Sequence, residues 1–152
     1  MSTVFKWVAP GESIQTALST HMDALANSTS DTTGFSTLST AIANETDLYQ
    51  YMNLELHLAT QASTRLAGAF FEVWISYALD GSVYGDDSNA AFSASLLAVF
   101  GLDAAVTART LNIANIPIPP LNFKLYVRNK SGYALPANSS TLKYRRHNEQ
   151  GV

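Results

Sequence analysis

Cysteine is absent from the 152 residues, which rules out disulfide staples, thiolate metal sites and cysteine nucleophiles. The fold must therefore be held by packing and hydrogen bonds, in either redox environment. Charge is also scarce, at 14% Asp, Glu, Lys and Arg against roughly 25% in ordinary soluble domains. The net charge is −3 and the pI about 5.5, so no global electrostatic pull toward nucleic acid exists. No apolar run approaches the roughly 18 residues of a spanning helix, and Met1-Ser2-Thr3-Val4-Phe5-Lys6-Trp7 lacks the basic-then-apolar pattern of a leader. The expectation is no membrane partner and no nucleic acid.

Catalytic and cofactor signatures are missing as well. There is no Gly-x-Gly-x-x-Gly or Walker loop, no serine in a Gly-x-Ser-x-Gly elbow, and no His-x-His or His-Glu-x-x-His spacing. His21, His57 and His147 are isolated from one another in sequence. Paired carboxylates for glycoside hydrolysis would have to come from Glu55, Glu72 and the loop carrying Asp80. Both glutamates sit mid-strand between apolar neighbours, where an outward solvated position is the simpler account. Asp80, Asp86 and Asp87 share one loop and could together bind Ca²⁺, but their spacing is not that of an EF-hand and Gly and Asp are ordinary turn residues, so a solvated loop is the simpler account. The chain is expected to be no enzyme and to need no cofactor or metal.

What is present is a 47% hydrophobic chain of one-domain size, long enough to bury roughly 68–70% of its unfolded surface. Ser, Thr and Asn supply the polarity that charge does not, as in Ser28-Thr29-Ser30 and Asn138-Ser139-Ser140-Thr141. Asn-x-Ser/Thr triplets begin at Asn27, Asn44, Asn129 and Asn138, as expected by chance in such a composition.

Period-two alternation carries the fold expectation. Leu54, Leu56 and Leu58 alternate with Glu55 and His57; Phe71, Val73, Ile75 and Tyr77 alternate with Glu72, Trp74 and Ser76. Residues 92–100 read as a strand or a short helical turn, and residues 105–113 as extended until Pro117, Pro119 and Pro120 stop regular pairing. Phe123, Leu125 and Val127 form one arm of an expected hairpin, turned at Asn129-Lys130-Ser131-Gly132 and returned over residues 141–146. Near the amino terminus, Ser13 followed by Ile14, Ala17, Leu18, Met22 and Leu25 suggests a short helix, with a strand as the alternative. The fold class expected from this patterning is mainly β, an antiparallel sandwich or barrel, with residues 1–12 as an arm and 13–152 as one domain.

Two features suggest binding surfaces. Lys124, Arg128, Lys143 and Arg145 crowd the expected hairpin and would share one outward face if its arms paired. A basic ribbon of that kind suits an acidic protein surface, a phosphate backbone or an anionic glycan, although a solvated strand face is at least an equal reading. Phe5 and Trp7 lie near a terminus, where large aromatics act as an anchor into a partner or pack back on their own domain.

From Leu18 onward the chain resembles small bacteriophage virion structural proteins of the capsid cement or decoration type, similar members of which are tail-associated. The resemblance is carried by Tyr51-Met52-Asn53-Leu54-Glu55-Leu56, Ala67-Gly68-Ala69-Phe70-Phe71-Glu72-Val73-Trp74, Leu79-Asp80-Gly81-Ser82-Val83-Tyr84 and Ile118-Pro119-Pro120-Leu121-Asn122-Phe123-Lys124. Val127-Arg128-Asn129-Lys130-Ser131-Gly132-Tyr133-Ala134 with Thr141-Leu142-Lys143-Tyr144 is its most specific block. The resemblance implies a compact antiparallel jelly-roll-like β-sandwich, made in the host cytoplasm and carried on the capsid exterior of the virion. There it would bind the major capsid protein as a homo-oligomer, a trimer or dimer, and clamp neighbouring subunits. The alternative is a tail or fibre module that binds host glycan, with Trp74, Tyr77 and Tyr84 as an aromatic platform.

Overall fold

The computed structural model describes residues 5–7, 12–30, 33–84, 94–137 and 139–151. In chain order these form β1 (Phe5–Trp7), β2 (Gln15–Leu18), a 3-10 turn (Thr20–Met22), β3 (Tyr51–Leu58), β4 (Phe70–Ala78), β5 (Ser95–Gly101), β6 (Arg109–Pro117), β7 (Asn122–Lys130), β8 (Thr141–His147) and β9 (Glu149–Gly151). Alternation does what the sequence predicts. β3 buries Met52, Leu54, Leu56 and Leu58, β4 buries Phe71, Val73 and Ile75, and β7 buries Phe123, Leu125 and Val127. These rows meet in one core, where each fully buried Leu, Ile, Val, Phe or Met contributes about 1.5–3 kcal/mol.

Two sheets enclose that core, ordered β2-β8-β3-β6 and β5-β4-β7, and β1 and β9 form a separate antiparallel pair. Residues 34–42 run antiparallel along the free edge of β7 through bridges at Phe35–Arg128 and Ile42–Phe123. With that segment counted, the chain pairs in nested order: β2 on β8, 34–42 on β7, β3 on β6 and β4 on β5. Nested pairing of this kind is one long hairpin rolled over on itself, the winding of a jelly roll. The protein is an antiparallel jelly-roll β-sandwich.

The 34–42 segment is not a regular strand, yet it satisfies the edge. The Ser36, Ser39 and Ile42 amides donate to the Val127, Leu125 and Phe123 carbonyls at 2.8 Å each. In return the Val127 and Leu125 amides donate to the Ser36 and Ser39 hydroxyls, at 3.1 and 3.0 Å. Side-chain oxygens thus stand where a strand would offer carbonyls, and the edge is closed against further pairing.

Two expectations need correction. Residues 15–18 are a strand and 20–22 a 3-10 turn, not one helix. β2 pairs with β8 through a bulge between Thr16 and Leu18, which lets consecutive Ala17 and Leu18 both go inward; tertiary pairing overrides the helical spacing. The last two long strands, moreover, are not a hairpin. β7 already has β4 and residues 34–42 on its two edges, and β8 has β2 and β3 on its own, so they lie in opposite sheets. The turn at 129–132 is real, but it starts a crossing between sheets. Gly132 makes it possible: φ is +95°, and a Cβ there would sit 2.3 Å from the Leu66 Cγ.

Replacing Ser39 by alanine leaves the Leu125 amide buried without its acceptor. We expect Ser39→Ala to lose about 1–3 kcal/mol, with a melting midpoint lower by roughly 2–4 °C per kcal/mol. Thermal unfolding beside Thr37→Ala, at an exposed position of the same segment, checks it; equal midpoints would show that the hydroxyl does not hold the edge.

Candidate functional site

The two sheets present outward faces of very different character. On the four-stranded sheet, β3 turns Asn53, Glu55 and His57 outward. Register places Asn53 opposite Arg145 and sets Glu55 between Lys143 on one side and Asn112 on the other. Lys143 Nζ pairs with Glu55 Oε1 at 3.2 Å, both side chains remaining about one-third exposed. Arg145 donates through Nε to the Glu12 carbonyl at 3.1 Å. A bulge in β6, where Asn115 takes φ +60°, brings the Asn115 amide to within 2.9 Å of Asn53 Oδ1. Asn53, Glu55, Asn112, Lys143 and Arg145 together line an open groove of about 270 Å³. Ile14, 60% exposed, closes one side of it with an apolar wall.

The outward face of the three-stranded sheet is filled by its own side chains. Trp74 and Tyr126 stack at 6.5 Å, and Phe35 meets both edge-on at 6.3 and 5.5 Å. Trp74 Nε1 donates to Glu72 Oε2 at 3.2 Å, and Arg128 Nη1 reaches the same oxygen at 3.4 Å. Arg128 also donates to the Ser28 hydroxyl at 3.0 Å and the Ser30 carbonyl, its guanidinium 5.0 Å from the Phe35 ring. Burial pushes the Tyr126 hydroxyl up to about 12. Lys124 lies 4.4 Å over the Tyr84 ring.

This geometry divides the residues singled out in the sequence. Lys143 and Arg145 share the groove, whereas Lys124 and Arg128 belong to the opposite sheet, so there is no single basic ribbon. The division follows from the edge saturation that separates β7 from β8. The aromatic platform is not formed either: Tyr77 packs toward the core, while Trp74 and Tyr84 are outside it. Phe5 and Trp7 lie in β1, opposite Gly151 and Glu149 of β9, and their side chains fall outside the described residues. Glu55 and Glu72 point outward from different sheets and cannot flank one bond; Glu72 is covered rather than solvated. Asp80 accepts the Ser82 and Val83 amides at 2.9 and 2.7 Å, which holds its carboxyl below the usual range and makes it a turn residue. Asp86 and Asp87 lie outside the described residues.

Ile14, Asn53 and Asn112 were not singled out by sequence. The available signal was that Asn53 shares the outward period of Glu55 and His57; nothing local marked Asn112 as its neighbour. Among the described residues no group of three or more His, Asp or Glu is placed to hold a metal, and no helix is long and apolar enough to cross a membrane. No family model and no curated protein matches the chain. Among solved structures, the chain is similar at 16% identity and a TM-score of 0.30 to CBM32-1 from a family 31 glycoside hydrolase of Clostridium perfringens, over 95% of this chain and 93% of that one.

A second charged cluster is structural. Arg65 is buried in the loop between β3 and β4, donating to Asp103 Oδ1 at 2.9 Å, the Asp103 carbonyl at 3.2 Å and the Thr107 carbonyl at 3.1 Å. Arg109 grips the same carboxylate, through Nε at 3.0 Å and through Nη2. Hydrogen bonds from Arg109 and then Arg65 hold the Asp103 carboxyl far below its ordinary value. A carboxyl depressed by folding stabilises the fold above its unfolded pKa, near 3.9, and loses that contribution as pH falls toward the folded value. Stability is therefore expected to fall below about pH 4, and Asp103→Asn to flatten that fall. Denaturant midpoints across the acid range test this; identical acid profiles for the two proteins would contradict it.

Proposed function

We propose that this chain is a bacteriophage virion protein that decorates the capsid exterior, binds the major capsid protein and does no chemistry of its own. The observation that supports this reading most is the edge formed by β5. Its sequence, Ser-Leu-Leu-Ala-Val-Phe-Gly, holds no charge and no proline, and Leu96 and Val99 are 49% and 46% exposed. Among the described residues no strand lies beyond it. An open apolar edge is a template for pairing with another chain, and a protein working alone in solution ordinarily blunts it with lysine, proline or a cover. The β7 edge of the same sheet is closed by residues 34–42, so the contrast lies within one sheet. A protein held in an ordered shell uses such an edge as a contact, and β5 suits a homo-oligomeric dimer or trimer seated on capsid subunits. The low charge agrees with this, since close-packed copies then repel one another little.

Decoration acts by mass action, because a protein that binds the finished shell better than its precursors stabilises the shell. At a free concentration about 100-fold above Kd the gain is about 2.7 kcal/mol per site. Particles made without the protein are expected to assemble and then rupture at lower temperature or milder osmotic shock. Val99→Lys is expected to keep the fold but to weaken self-association and shell binding at least tenfold. Sedimentation, with heat release of packaged DNA, reads both. Equal robustness with and without the protein, or its recovery on tails rather than shells, would overturn the capsid reading.

A further inference from the structure

We infer that the groove on the outward face of the four-stranded sheet binds a carboxylate-bearing saccharide, a hexuronic or sialic acid unit. The inference stands apart from the virion reading and uses a different surface from β5.

Three properties of the groove select this ligand. Its charge is unbalanced: Lys143 and Arg145 face one carboxylate, Glu55, so one positive charge is left over for an acidic ligand. Arg145 spends Nε on the Glu12 carbonyl, and its two terminal nitrogens make no hydrogen bond among the described residues. They present the fork that matches a carboxylate. The amides come next. Asn53 commits Oδ1 to Asn115 and keeps its Nδ2 donors, while the Asn112 side chain makes no hydrogen bond among the described residues. A donor-and-acceptor amide beside a charged pair is suited to adjacent ring hydroxyls.

The third property is dimension. Outward residues two apart on a strand are separated by about 6.6–6.8 Å, and neighbouring strands by about 4.8 Å. Arg145 and Asn53 in one row, with Lys143, Glu55 and Asn112 in the next, therefore frame a patch the size of one sugar ring with its substituents. The volume of about 270 Å³ falls at or below the roughly 300–1,000 Å³ of drug-sized pockets, consistent with a single ring. Ile14 stands at the side to meet the ring's apolar face. An acidic peptide fits less well. Peptides recognised by sheets add along an edge, whereas this groove opens on the outward face of the sheet, across β8, β3 and β6.

Calorimetric titration of the full chain with oligogalacturonate and sialyllactose, against lactose and polyglutamate, tests the assignment. At least one acidic saccharide is expected to bind tenfold or more tightly than lactose and polyglutamate, and to weaken steeply with salt. Asn112→Ala, at an exposed position with no internal hydrogen bond, is expected to lose at least tenfold in affinity with an unchanged melting midpoint. Arg145→Gln is expected to abolish the preference for acidic over neutral sugar. No binding of either acidic saccharide at millimolar concentration, undiminished binding by Asn112→Ala, or tighter binding of polyglutamate would overturn it.

Discussion

The guanidinium of Arg146 joins the parts of the chain that are not sheet to the part that is. It projects from β8 and donates to Glu12 at 2.7 and 3.0 Å, to Asp47 at 3.0 Å, to the Ala43 carbonyl and to Asn44 Oδ1 at 3.4 Å, with the Tyr49 ring 4.7 Å away. An arginine has five N–H donors and no acceptor, so burying one is tolerable only where this many oxygens converge. Those oxygens come from the entry to β2 and from the 43–49 loop, which leads into β3. Removing the arginine side chain would leave the largely covered Glu12 carboxylate with the residue 146 amide but no cation, a change that costs up to about 3–5 kcal/mol for a fully buried pair. The same contact fixes the backbone beside Arg145 and so sets one wall of the groove.

Asparagine does comparable work where the sheets are crossed. Asn44 is fully buried, donating to the Tyr49 and Pro119 carbonyls at 3.0 and 2.7 Å and accepting the Tyr49 amide at 3.1 Å. Asn129, equally buried, donates to the Leu25 and Tyr133 carbonyls at 2.9 and 2.8 Å and accepts the Ser131 amide at 2.9 Å. Both open Asn-x-Ser/Thr triplets, and in both the folded chain has already used the amide that a glycan would need. A chain without cysteine can carry long irregular connections only if their backbone groups are answered inside the fold, and buried amides and guanidinium groups answer them here.

The strands were legible because each keeps one face in the core, so the period of two survives in Leu54-Leu56-Leu58 and in Phe123-Leu125-Val127. Pairing was less legible. Alternation says which way a side chain points but not which strand lies beside it, and a short turn signal at 129–132 favoured the local partner. The jelly roll pairs strands far apart in sequence, and only the occupied edges of β7 and β8 exclude the hairpin. Residues 34–42 were illegible for a related reason. Ser36 and Ser39 act as backbone acceptors without strand alternation, and nothing in Ser-Thr-Leu-Ser distinguishes that from an ordinary polar loop. Nothing local in the sequence marks Arg65 and Arg146 as interior, yet both are buried groups of the fold.

Once β7 and β8 are assigned to opposite sheets, the basic residues lose their common role and gain two separate ones. On the three-stranded sheet, Arg128 is spent on Glu72, Ser28 and Ser30, and the aromatic rings around it fill the face they would otherwise offer. A ligand there would have to displace packed rings and break a covered ion pair. On the four-stranded sheet, Lys143 and Arg145 retain donors in an open groove, and the amides beside them are uncommitted on the groove side. Polar donors in an open groove therefore lie on one sheet, and the exposed Leu96 and Val99 lie on the β5 edge of the other. Because the two surfaces belong to different sheets, occupancy of β5 by a neighbouring chain leaves the groove's own residues unused. A single small sandwich can in this way be held in an assembly by one sheet and meet a second ligand with the other.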